Sequence, residues 1–355
     1  MTGGTTDLVV AGGGPAGLAT ALYAARAGLS VVVHEPRRGP IDKACGEGLM
    51  PSAVGRLDDL DVRPDGQVLR GIRYVAGGDY VTRVAGGSDG ATAEAPFRTG
   101  VGRGVRRTAL HAALREAVDA AGVTVTSEPV SDVVPREEEV LVDGAAARFL
   151  VVADGLHSPL RRRLQLEGSP RRPRRYGLRR HVRVAPWTDL VEVHWAERVE
   201  AYVTPVGPDE VGIALLTADR SSYDDQLAAF PALLERIGDA PATSTVRGAG
   251  PLHQVSTRRV AGRALLVGDA SGYVDALTGE GVALALAQAE AAVAAITAGR
   301  PDDYETAWWR IVRRHRILTR ALLTAAAVPP VRRRLVPTAQ ALPGVFAGAV
   351  HQICR

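Results

Sequence analysis

Three glycines near the start of the chain have the spacing of a dinucleotide-binding turn. Gly12, Gly14 and Gly17 follow the apolar run DLVVA and precede a stretch rich in alanine and leucine. The first glycine permits a tight bend, the second lets the backbone approach a pyrophosphate, and the third lets a helix pack on the sheet. Pro15 and Ala16 complete the turn at the helix N-terminus, whose free N–H groups can bind phosphate. The segment therefore predicts a strand, a turn and a helix that hold a dinucleotide.

A carboxylate follows the second predicted strand. The β-branched run SVVVH is succeeded at once by Glu35 and Pro36. An acidic side chain at this position accepts hydrogen bonds from ribose hydroxyls and disfavours a ribose 2′-phosphate. We therefore expect the site to hold FAD or NAD rather than NADP.

Two later segments place polar groups directly after apolar runs. Asp154-Gly155 follows FLVVA, and Gly268-Asp269 follows LLV. The carboxylate of Asp269 can accept a hydrogen bond from a polyol hydroxyl. Gly279 and Gly281 flank the start of a long alanine-rich helix, whose N–H dipoles can stabilise negative charge at the N1–C2=O end of a reduced flavin. These segments favour FAD over NAD.

The three segments resemble the motifs of the flavoprotein superfamily that contains p-hydroxybenzoate hydroxylase and the geranylgeranyl reductases. The resemblance implies an α/β fold of the GR2 type, with a Rossmann-like FAD-binding domain, an inserted antiparallel β-sheet substrate domain and C-terminal helices. It implies FAD as the cofactor and NAD(P)H as a transient electron donor without its own domain. It also implies that Arg107, at the start of a helix predicted over Thr108 to Ala121, lies against the flavin ribityl chain. A generic helix-start arginine is the alternative.

The loop DKACGEG carries the only lysine of the chain, Lys43, followed by Ala44 and Cys45. In the resembling enzymes this loop folds over the flavin. A compact ammonium group fits beside a phosphate or ribityl oxygen; survival of one lysine by chance is the alternative. The geranylgeranyl reductases have a cysteine in the matching loop, so Cys45 is a candidate catalytic residue. A small buried apolar role is its alternative.

The positions of the motifs and of the strand-like patterns divide the chain into three parts. We expect a discontinuous FAD-binding domain (1–68, 96–168 and 257–300), a substrate-binding domain (69–95 and 169–256) and a C-terminal helical tail (301–355). The FAD-binding domain is expected to continue its helix–strand alternation between Val123 and Ala153.

The substrate-binding domain is predicted from short alternating runs between turn residues. Residues 69–95, with glycine pairs at 77–78 and 86–87, predict a hairpin, and residues 176–218 predict an antiparallel sheet. Leu227 to Ile237 predicts one helix. Strand residues that could face the flavin are Arg180, His181, Trp195 and Tyr202. Of these, Tyr202 is the second candidate catalytic residue, and it shares a strand face with Glu200 and Thr204.

Two reactions remain open at this point. The working hypothesis is an NAD(P)H-driven monooxygenase that hydroxylates an aromatic or polyketide-like small molecule through a flavin C4a-hydroperoxide. The alternative is a reductase of prenyl or quinone carbon–carbon double bonds, because Gly279-Glu280-Gly281 together with Cys45 resembles the reductase branch. Ala276 departs from both branches, which keep proline there. A flavin-binding protein without catalytic activity is a third possibility.

Composition excludes several other classes of protein. The 355 residues include 43 Lys and Arg, 39 Asp and Glu, and two cysteines, too few for a disulfide framework. There is neither a signal-like start nor an apolar run of about 20 residues, so we expect a cytoplasmic protein. The arginine runs at 161–163 and 171–175 have no interleaved aromatic residues, so we read them as solvated loops that bind no nucleic acid. We predict no metal site, and the oligomeric state stays open.

The C-terminal tail combines basic and apolar residues. It contains a basic helix from Asp302 to about Val328, a Pro329-Pro330 break, and then an arginine run beside apolar residues. Such a tail can touch a membrane, but packing on the core is the outcome that we expect.

Overall fold

The structure is a computed structural model that describes residues 6–77, 90–170 and 174–354. Its strands are β1 (Thr6–Ala11), β2 (Val31–His34), β3 (Gly48–Leu49), β4 (Gln67–Leu69), β5 (Gly71–Ala76), β6 (Thr92–Pro96), β7 (Gly102–Gly104), β8 (Thr124–Thr126), β9 (Val133–Pro135), β10 (Val140–Val142), β11 (Ala145–Val152), β12 (Glu167–Gly168), β13 (Tyr176–Val182), β14 (Leu190–Trp195), β15 (Val199–Gly207), β16 (Glu210–Thr217), β17 (Arg247–Ala249), β18 (Val255–Ser256), β19 (Val260–Ala261) and β20 (Ala264–Leu266). Its helices are α1 (Pro15–Arg26), α2 (Pro51–Asp59), α3 (Arg107–Ala120), α4 (Pro159–Arg163), α5 (Tyr223–Leu227), α6 (Pro231–Ile237), α7 (Gly281–Thr297), α8 (Asp303–Ala326), α9 (Pro329–Ala341) and α10 (Pro343–Ile353).

The first sheet forms around β1, whose Leu8 and Val10 side chains are fully buried. Its strand order is β19-β20-β11-β1-β2-β8. β1 pairs in parallel with β2 and with β11, so the carboxyl ends of these strands lie at one edge. Helices α1, α3 and α7 pack together beside the sheet. The predicted Rossmann-like unit is confirmed, and its strand ends bring the glycine turn, Glu35 and Asp154 to the same edge.

The stretch after Val123 corrects the expected alternation of helix and strand. β8 to β11 follow one another with no helix in this part of the chain, and β10 pairs antiparallel with both β9 and β11. The tight turn before β11 uses Asp143 and Gly144, both with positive φ. A glycine and an aspartate in this conformation favour a hairpin over a helix, because such residues tolerate the left-handed region.

The second sheet has the strand order β17-β13-β16-β15-β14-β5-β6. Its pairs are antiparallel except β14–β5, which is parallel and departs from the expected sheet. The predicted hairpin is present as the antiparallel pair β5–β6. Its turn glycines at 78, 86 and 87 lie outside the described residues. The one helix predicted over Leu227 to Ile237 is wrong, because Pro231 starts α6 and separates it from α5.

The last three helices cover one side of the second sheet. α8 packs on α7, while α9 and α10 pack on β6. The basic helix expected from Asp302 to about Val328 is present as α8, and Pro329 begins α9. In the described chain, no helix is both long and apolar enough to cross a bilayer. The predicted domain boundaries stay a prediction.

Candidate cofactor and active site

The glycine turn is shaped by steric limits at two positions and by open space at a third. Gly12 has φ +112°, and a Cβ there would overlap the backbone of Ala153. A Cβ on Gly17 would overlap the carbonyl oxygen of Gly12. At Gly14, a Cβ would meet nothing within 4 Å, and Gly14 begins α1 without a side-chain cap. The unpaired N–H groups of the first turn of α1 therefore open towards the place where a pyrophosphate would lie.

The two residues that complete the turn support the helix start. Pro15 occupies the first helical position, where a missing N–H costs nothing. Ala16 packs against the third motif, because a Cβ built on Gly268 would lie 2.8 Å from the Ala16 Cβ. The first and third motifs are therefore in direct contact.

Glu35 is buried at the end of β2, and the next residue, Pro36, is exposed. One carboxylate oxygen of Glu35 accepts from the Gly13 N–H at 2.8 Å, and both oxygens accept from the Arg37 guanidinium at 2.8 Å. Burial alone would raise the pKa of Glu35, but the hydrogen bonds from Arg37 and Gly13 outweigh it and hold the pKa below its ordinary value. Glu35 is thus an acceptor that stays ionised at neutral pH.

A cavity of about 750 Å³ lies beside Glu35 and is lined in part by Gly13, Arg37, His111 and Thr126. This volume falls in the range of small-molecule sites. His111 donates to the Gly13 carbonyl through Nε2 at 3.0 Å, and its buried Nδ1 has no partner in the described chain. The cavity has room for the adenosine half of a dinucleotide.

The loop from residue 42 to 48 bridges the two sheets. Lys43 Nζ lies 2.6 Å from Asp269 Oδ2, so the two candidate cofactor residues are brought together. Half-buried Ala44 comes next, and Thr204 of β15 donates to the carbonyl of Gly46 at 2.8 Å. The loop is therefore anchored to the third motif at one end and to the second sheet at the other.

A buried charge network behind the loop was missed by the sequence analysis. Glu47, at φ +60°, has one oxygen 2.5 Å from His181 Nε2, and its other oxygen accepts from the Arg107 N–H at 2.8 Å. Arg179 donates to Asp42 and lies beside His181. The alternation of β13 places Arg179 and His181 on one face, which is the signal that could have found the network.

Cys45 lies in this loop, and the guanidinium of Arg107 from α3 supplies positive charge near its thiol. Burial raises the pKa of the Cys45 thiol, and the positive charge of Arg107 offsets this only in part, so Cys45 is a neutral thiol near pH 7. Arg107 is buried, burial lowers its pKa, and its Nη1 has no hydrogen-bond partner within the described residues. An unpaired buried guanidinium nitrogen indicates a missing acceptor, because such a group is costly to leave unsatisfied.

The second motif places a carboxylate with one unpaired oxygen at the end of β11. Asp154 Oδ2 accepts from the Leu160 N–H at 3.1 Å, while the buried Oδ1 has no partner among the described groups. Burial raises the pKa of Asp154. Gly155 adopts φ +91° with open space beside it. These two residues leave an acceptor and room for a ligand next to the glycine turn.

Arg161 corrects the interpretation of the 161–163 run as a solvated loop. Its side chain is fully buried and donates to the carbonyls of Ala270 and Leu156 at 3.1 and 3.2 Å. It therefore ties the second motif to the third. Only Arg162 and Arg163 are exposed as expected.

The third motif continues from β20 into α7. Gly268 has φ +60°, and its N–H donates to the Gln288 side chain at 2.8 Å. Gly279 has φ +70°, and Gly281 begins α7. Glu280 between them points to α8, where His315 Nδ1 lies 2.8 Å from its carboxylate. Glu280 is therefore engaged by α8.

Tyr202 and Glu200 lie on the inward face of β15, towards the segment before Gly279. The Tyr202 hydroxyl donates to the Leu277 carbonyl at 2.7 Å, so it supports the segment before Gly279. Glu200 is buried between Arg175 and Arg332. Arg175 is thus a second arginine for which the solvated-loop interpretation is wrong.

Of the other strand residues expected to face the flavin, two share this inward face of the sheet and one does not. His181 meets Glu47, and Trp195 packs against Tyr74 with ring centroids 5.5 Å apart and the ring planes tilted by 57°. Arg180 points to the opposite face, where it pairs with Asp224 of α5.

Asp275 is a buried acid that no sequence motif indicated. It lies just before Ala276, accepts from the Leu277 N–H at 3.2 Å and is 3.7 Å from Arg175. Burial raises the pKa of Asp275 to about 6, although the charge of Arg175 opposes this. Position 276 is alanine where the resembling enzymes keep proline. In this chain Asp275 and Tyr202 support the segment instead.

These groups fit FAD. Unpaired polar atoms at Arg107, His111 and Asp154, open space at Gly14 and the carboxylates of Glu35 and Asp269 supply donors and acceptors of the kind that a dinucleotide with a polyol linker would need. Comparisons with known proteins agree. A family model described as an FAD binding domain matches residues 7–67.

Curated relatives match over most of the chain. A protein named Menaquinone reductase from Mycolicibacterium smegmatis is 31% identical over 342 residues, covering 87% of this chain and 80% of that protein. A protein of the same name from Mycobacterium tuberculosis is 30% identical over 301 residues, covering 78% and 73% respectively. The chain belongs to the GR2 superfamily of FAD-dependent oxidoreductases.

Solved structures show the same fold as this flavoprotein. The flavin-dependent halogenase CmlS has a TM-score of 0.78 at 20% identity, covering 98% of this chain and 72% of the halogenase. A geranylgeranyl bacteriochlorophyll reductase-like protein from Thermoplasma acidophilum has a TM-score of 0.78 at 19% identity, covering 98% and 95%. Because these identities are below 25%, the likenesses establish the fold of the flavoprotein and not its reaction.

Proposed function

We propose that this flavoprotein is an FAD-dependent, NAD(P)H-driven reductase of a carbon–carbon double bond in a prenylated quinone. The observation that carries the proposal is the 31% identity, over 87% of the chain, to a protein named Menaquinone reductase. The neutral thiol of Cys45 in the cofactor loop supports it, because the reaction needs a proton donor beside the cofactor.

Reduction of a double bond adds a hydride to one carbon and a proton to the other. Bound FAD would supply the hydride after its reduction by NAD(P)H. In this proposal the Cys45 thiol donates the proton, since burial keeps it protonated. The thiolate that remains is stabilised by the charge of Arg107, whose Nη1 is free of partners among the described residues. Solvent then reprotonates the sulfur.

Tyr202 is a positioning residue in this scheme. Its hydroxyl donates its proton to a hydrogen bond with the Leu277 carbonyl. Burial together with the charge of Glu200 raises the pKa of Tyr202 well above the ordinary value. The phenol therefore stays protonated and keeps the segment before α7 in place.

An apolar cluster between the second sheet and the cofactor loop suits a prenyl chain. It joins Met50 and Leu277 to the inward side chains of the second sheet, among them Val193, Ala214 and Leu216. Apolar side chains of this kind exclude water, which protects a hydride-transfer site from side reactions. The small hydrophobic substrate expected from the sequence is compatible with this lining.

Hydroxylation of an aromatic molecule stays an untested hypothesis. The halogenase likenesses are too remote in sequence to support a reaction. The mass of the product distinguishes hydroxylation from reduction. The FAD-loaded protein is reduced with NADPH without oxygen and given menaquinone; after any quinol has been re-oxidised in air, we expect a quinone product heavier by two hydrogen atoms. A product that gains one oxygen atom from a phenol in air, with no change in menaquinone, would contradict the proposal.

Replacing Cys45 by serine tests the proton donor. We expect Cys45→Ser to keep FAD bound and to lower double-bond reduction about 100-fold, because serine is a far weaker acid. Product mass spectrometry under single-turnover conditions measures the rate, and visible absorbance measures FAD occupancy. Unchanged reduction in the variant would assign Cys45 a packing role.

A further inference from the structure

The large apolar side chains that are exposed collect on the last three helices. Of eleven such side chains in the described residues, six lie between positions 309 and 345, about a tenth of the chain. The side chains of Trp309, Ile317 and Val345 are 51%, 63% and 67% exposed. Scattered single exposures are normal in proteins, whereas a collection of this kind marks an interaction surface.

Each of these helices is one-sided. α8 buries Trp308 and Val312 on its inner side, α9 buries Val336, and α10 buries Phe346 and Val350 against the second sheet. The exposed side chains therefore lie on the outer face of this helical layer. We call this outer face the C-terminal face; it comprises Trp309, Arg310, Arg313, Arg314, Ile317, Val328, Val331, Arg333, Arg334, Leu342 and Val345.

The C-terminal face is also strongly basic. Five of its residues are exposed arginines, and the only acidic residues in α8, α9 and α10 are Asp303 and Glu305 in the first turn of α8. Glu305 is already paired with Arg259. Arg333 pairs with Glu197, which lies outside these helices, so the excess positive charge of the face comes from Arg310, Arg313, Arg314 and Arg334.

Interleaved aliphatic and arginine side chains on helices are the chemistry of a lipid headgroup interface. The aliphatic groups enter the boundary of the acyl chains, while the arginines remain with anionic headgroups. A nucleic acid would use the arginines but gain little from Ile317, Val331 or Val345, since base stacking needs aromatic rings. A symmetric contact between two copies would place one basic face against another, which is unfavourable.

We propose that the C-terminal face docks this flavoprotein on the surface of a membrane that contains anionic lipid. The argument uses only the exposed surface, so it stands apart from the proposed reaction. Docking places the outer side of α9 and α10 on the lipid while their inner side covers the second sheet.

Vesicle co-sedimentation with the full, FAD-loaded chain tests the docking. Vesicles of phosphatidylcholine alone are compared with vesicles that also contain phosphatidylglycerol, without any quinone. We expect binding about tenfold tighter to the anionic vesicles, weakened by salt because the attraction is partly electrostatic. Equal, weak sedimentation with both vesicle types would overturn the proposal.

Paired variants identify the face. Ile317→Ser with Val345→Ser, and separately Arg310→Gln with Arg313→Gln, are each expected to weaken anionic-vesicle binding at least about fivefold. Matched controls outside the face are Val134→Ser with Leu234→Ser, and Arg63→Gln with Arg70→Gln, all exposed side chains. The controls should bind as the parent does, and equal thermal unfolding of all variants excludes misfolding.

Two outcomes would contradict membrane docking by the C-terminal face. Loss of binding in the controls equal to that in the paired variants would show that the C-terminal face is not the contact. A dimer in light scattering that Ile317→Ser abolishes, with no vesicle binding, would make the face an interface between copies. Because no quinone is present, either failure leaves the proposed reaction untouched.

Discussion

The glycine turn and the zone between the two sheets hold their shapes by different physical means. At Gly12 and Gly17 the backbone has no room for a side chain, so shape depends on steric exclusion within a few residues. Between the sheets, shape depends on buried ion pairs such as Arg179–Asp42 and Arg175–Glu200. Steric exclusion is independent of pH, whereas ion pairs respond to protonation. The difference teaches that the glycine turn keeps its shape at any pH, whereas the contacts between the sheets depend on the protonation of their carboxylates.

The sharpest test of the steric region is a single methyl group. Gly17→Ala places a Cβ in the space of the Gly12 carbonyl oxygen, and because backbone cannot rotate away as a side chain can, we expect a loss of roughly 4 kcal/mol in unfolding free energy. Denaturant unfolding measures it. Gly14→Ala is the control, where a Cβ meets nothing within 4 Å; equal losses in both variants would refute the steric argument.

The effect of removing a buried charge is tested by two neighbouring arginines beside the second motif. Arg161→Met removes a fully buried guanidinium and leaves the Ala270 and Leu156 carbonyls without its hydrogen bonds, so we expect a loss of roughly 3 kcal/mol. Arg163→Met removes an exposed pair with Asp132 and is expected to cost less than about 1 kcal/mol. Similar unfolding midpoints for the two variants would show that burial does not distinguish them.

The next largest effect is expected at two carboxylates that can bind the cofactor. Glu35→Ala and Asp269→Ala each remove a carboxylate that can accept from the cofactor hydroxyls, so we expect FAD affinity to fall by about 2 kcal/mol. Equilibrium dialysis followed by absorbance measures occupancy. Glu290→Ala, a surface carboxylate half exposed beside Arg56, is the control. Full occupancy in both cofactor variants would contradict the assignment of the path.

The last test is a pH dependence at Asp275. Burial raises its pKa in the folded state from 3.8 to about 6, so the Asp275 carboxyl binds more protons in the folded protein than in the unfolded chain between these values. The contribution of Asp275 to stability is therefore greatest below the lower value and is lost as the pH rises through 6. Asp275→Asn should abolish this loss, which for a shift of this size amounts to at most about 3 kcal/mol at pH 7. Chemical unfolding from pH 4 to 7 measures it; parallel profiles for parent and variant would exclude Asp275.

The sequence predicted the Rossmann-like unit well because its signals are local. The glycine spacing, the carboxylate after β2 and the motif glycines each depend on a few adjacent residues, and the Rossmann-like sheet follows from them. The buried arginines could not be assigned in this way. Arg161 bonds a carbonyl 109 positions away and Arg179 a carboxylate 137 positions away, so their partners lie far along the chain. Only the alternation of Arg179 with His181 gave a local signal.

The orientation of β15 illustrates the same limit. Alternation correctly grouped Glu200, Tyr202 and Thr204 on one face, but only their contacts with Arg175, Leu277 and Gly46 show that this face points inward. The break at Pro231, by contrast, was visible in the sequence and could have divided α5 from α6.

The double anchoring of the 42–48 loop has a kinetic consequence. Lys43 joins Asp269 on one side, while Gly46 and Glu47 join Thr204 and His181 on the other. A prosthetic group enclosed beneath this loop leaves only when both sets of contacts separate, so its escape is governed by a rare opening motion. We expect the purified protein to stay yellow through prolonged washing, and emptied protein to refill slowly even with abundant flavin.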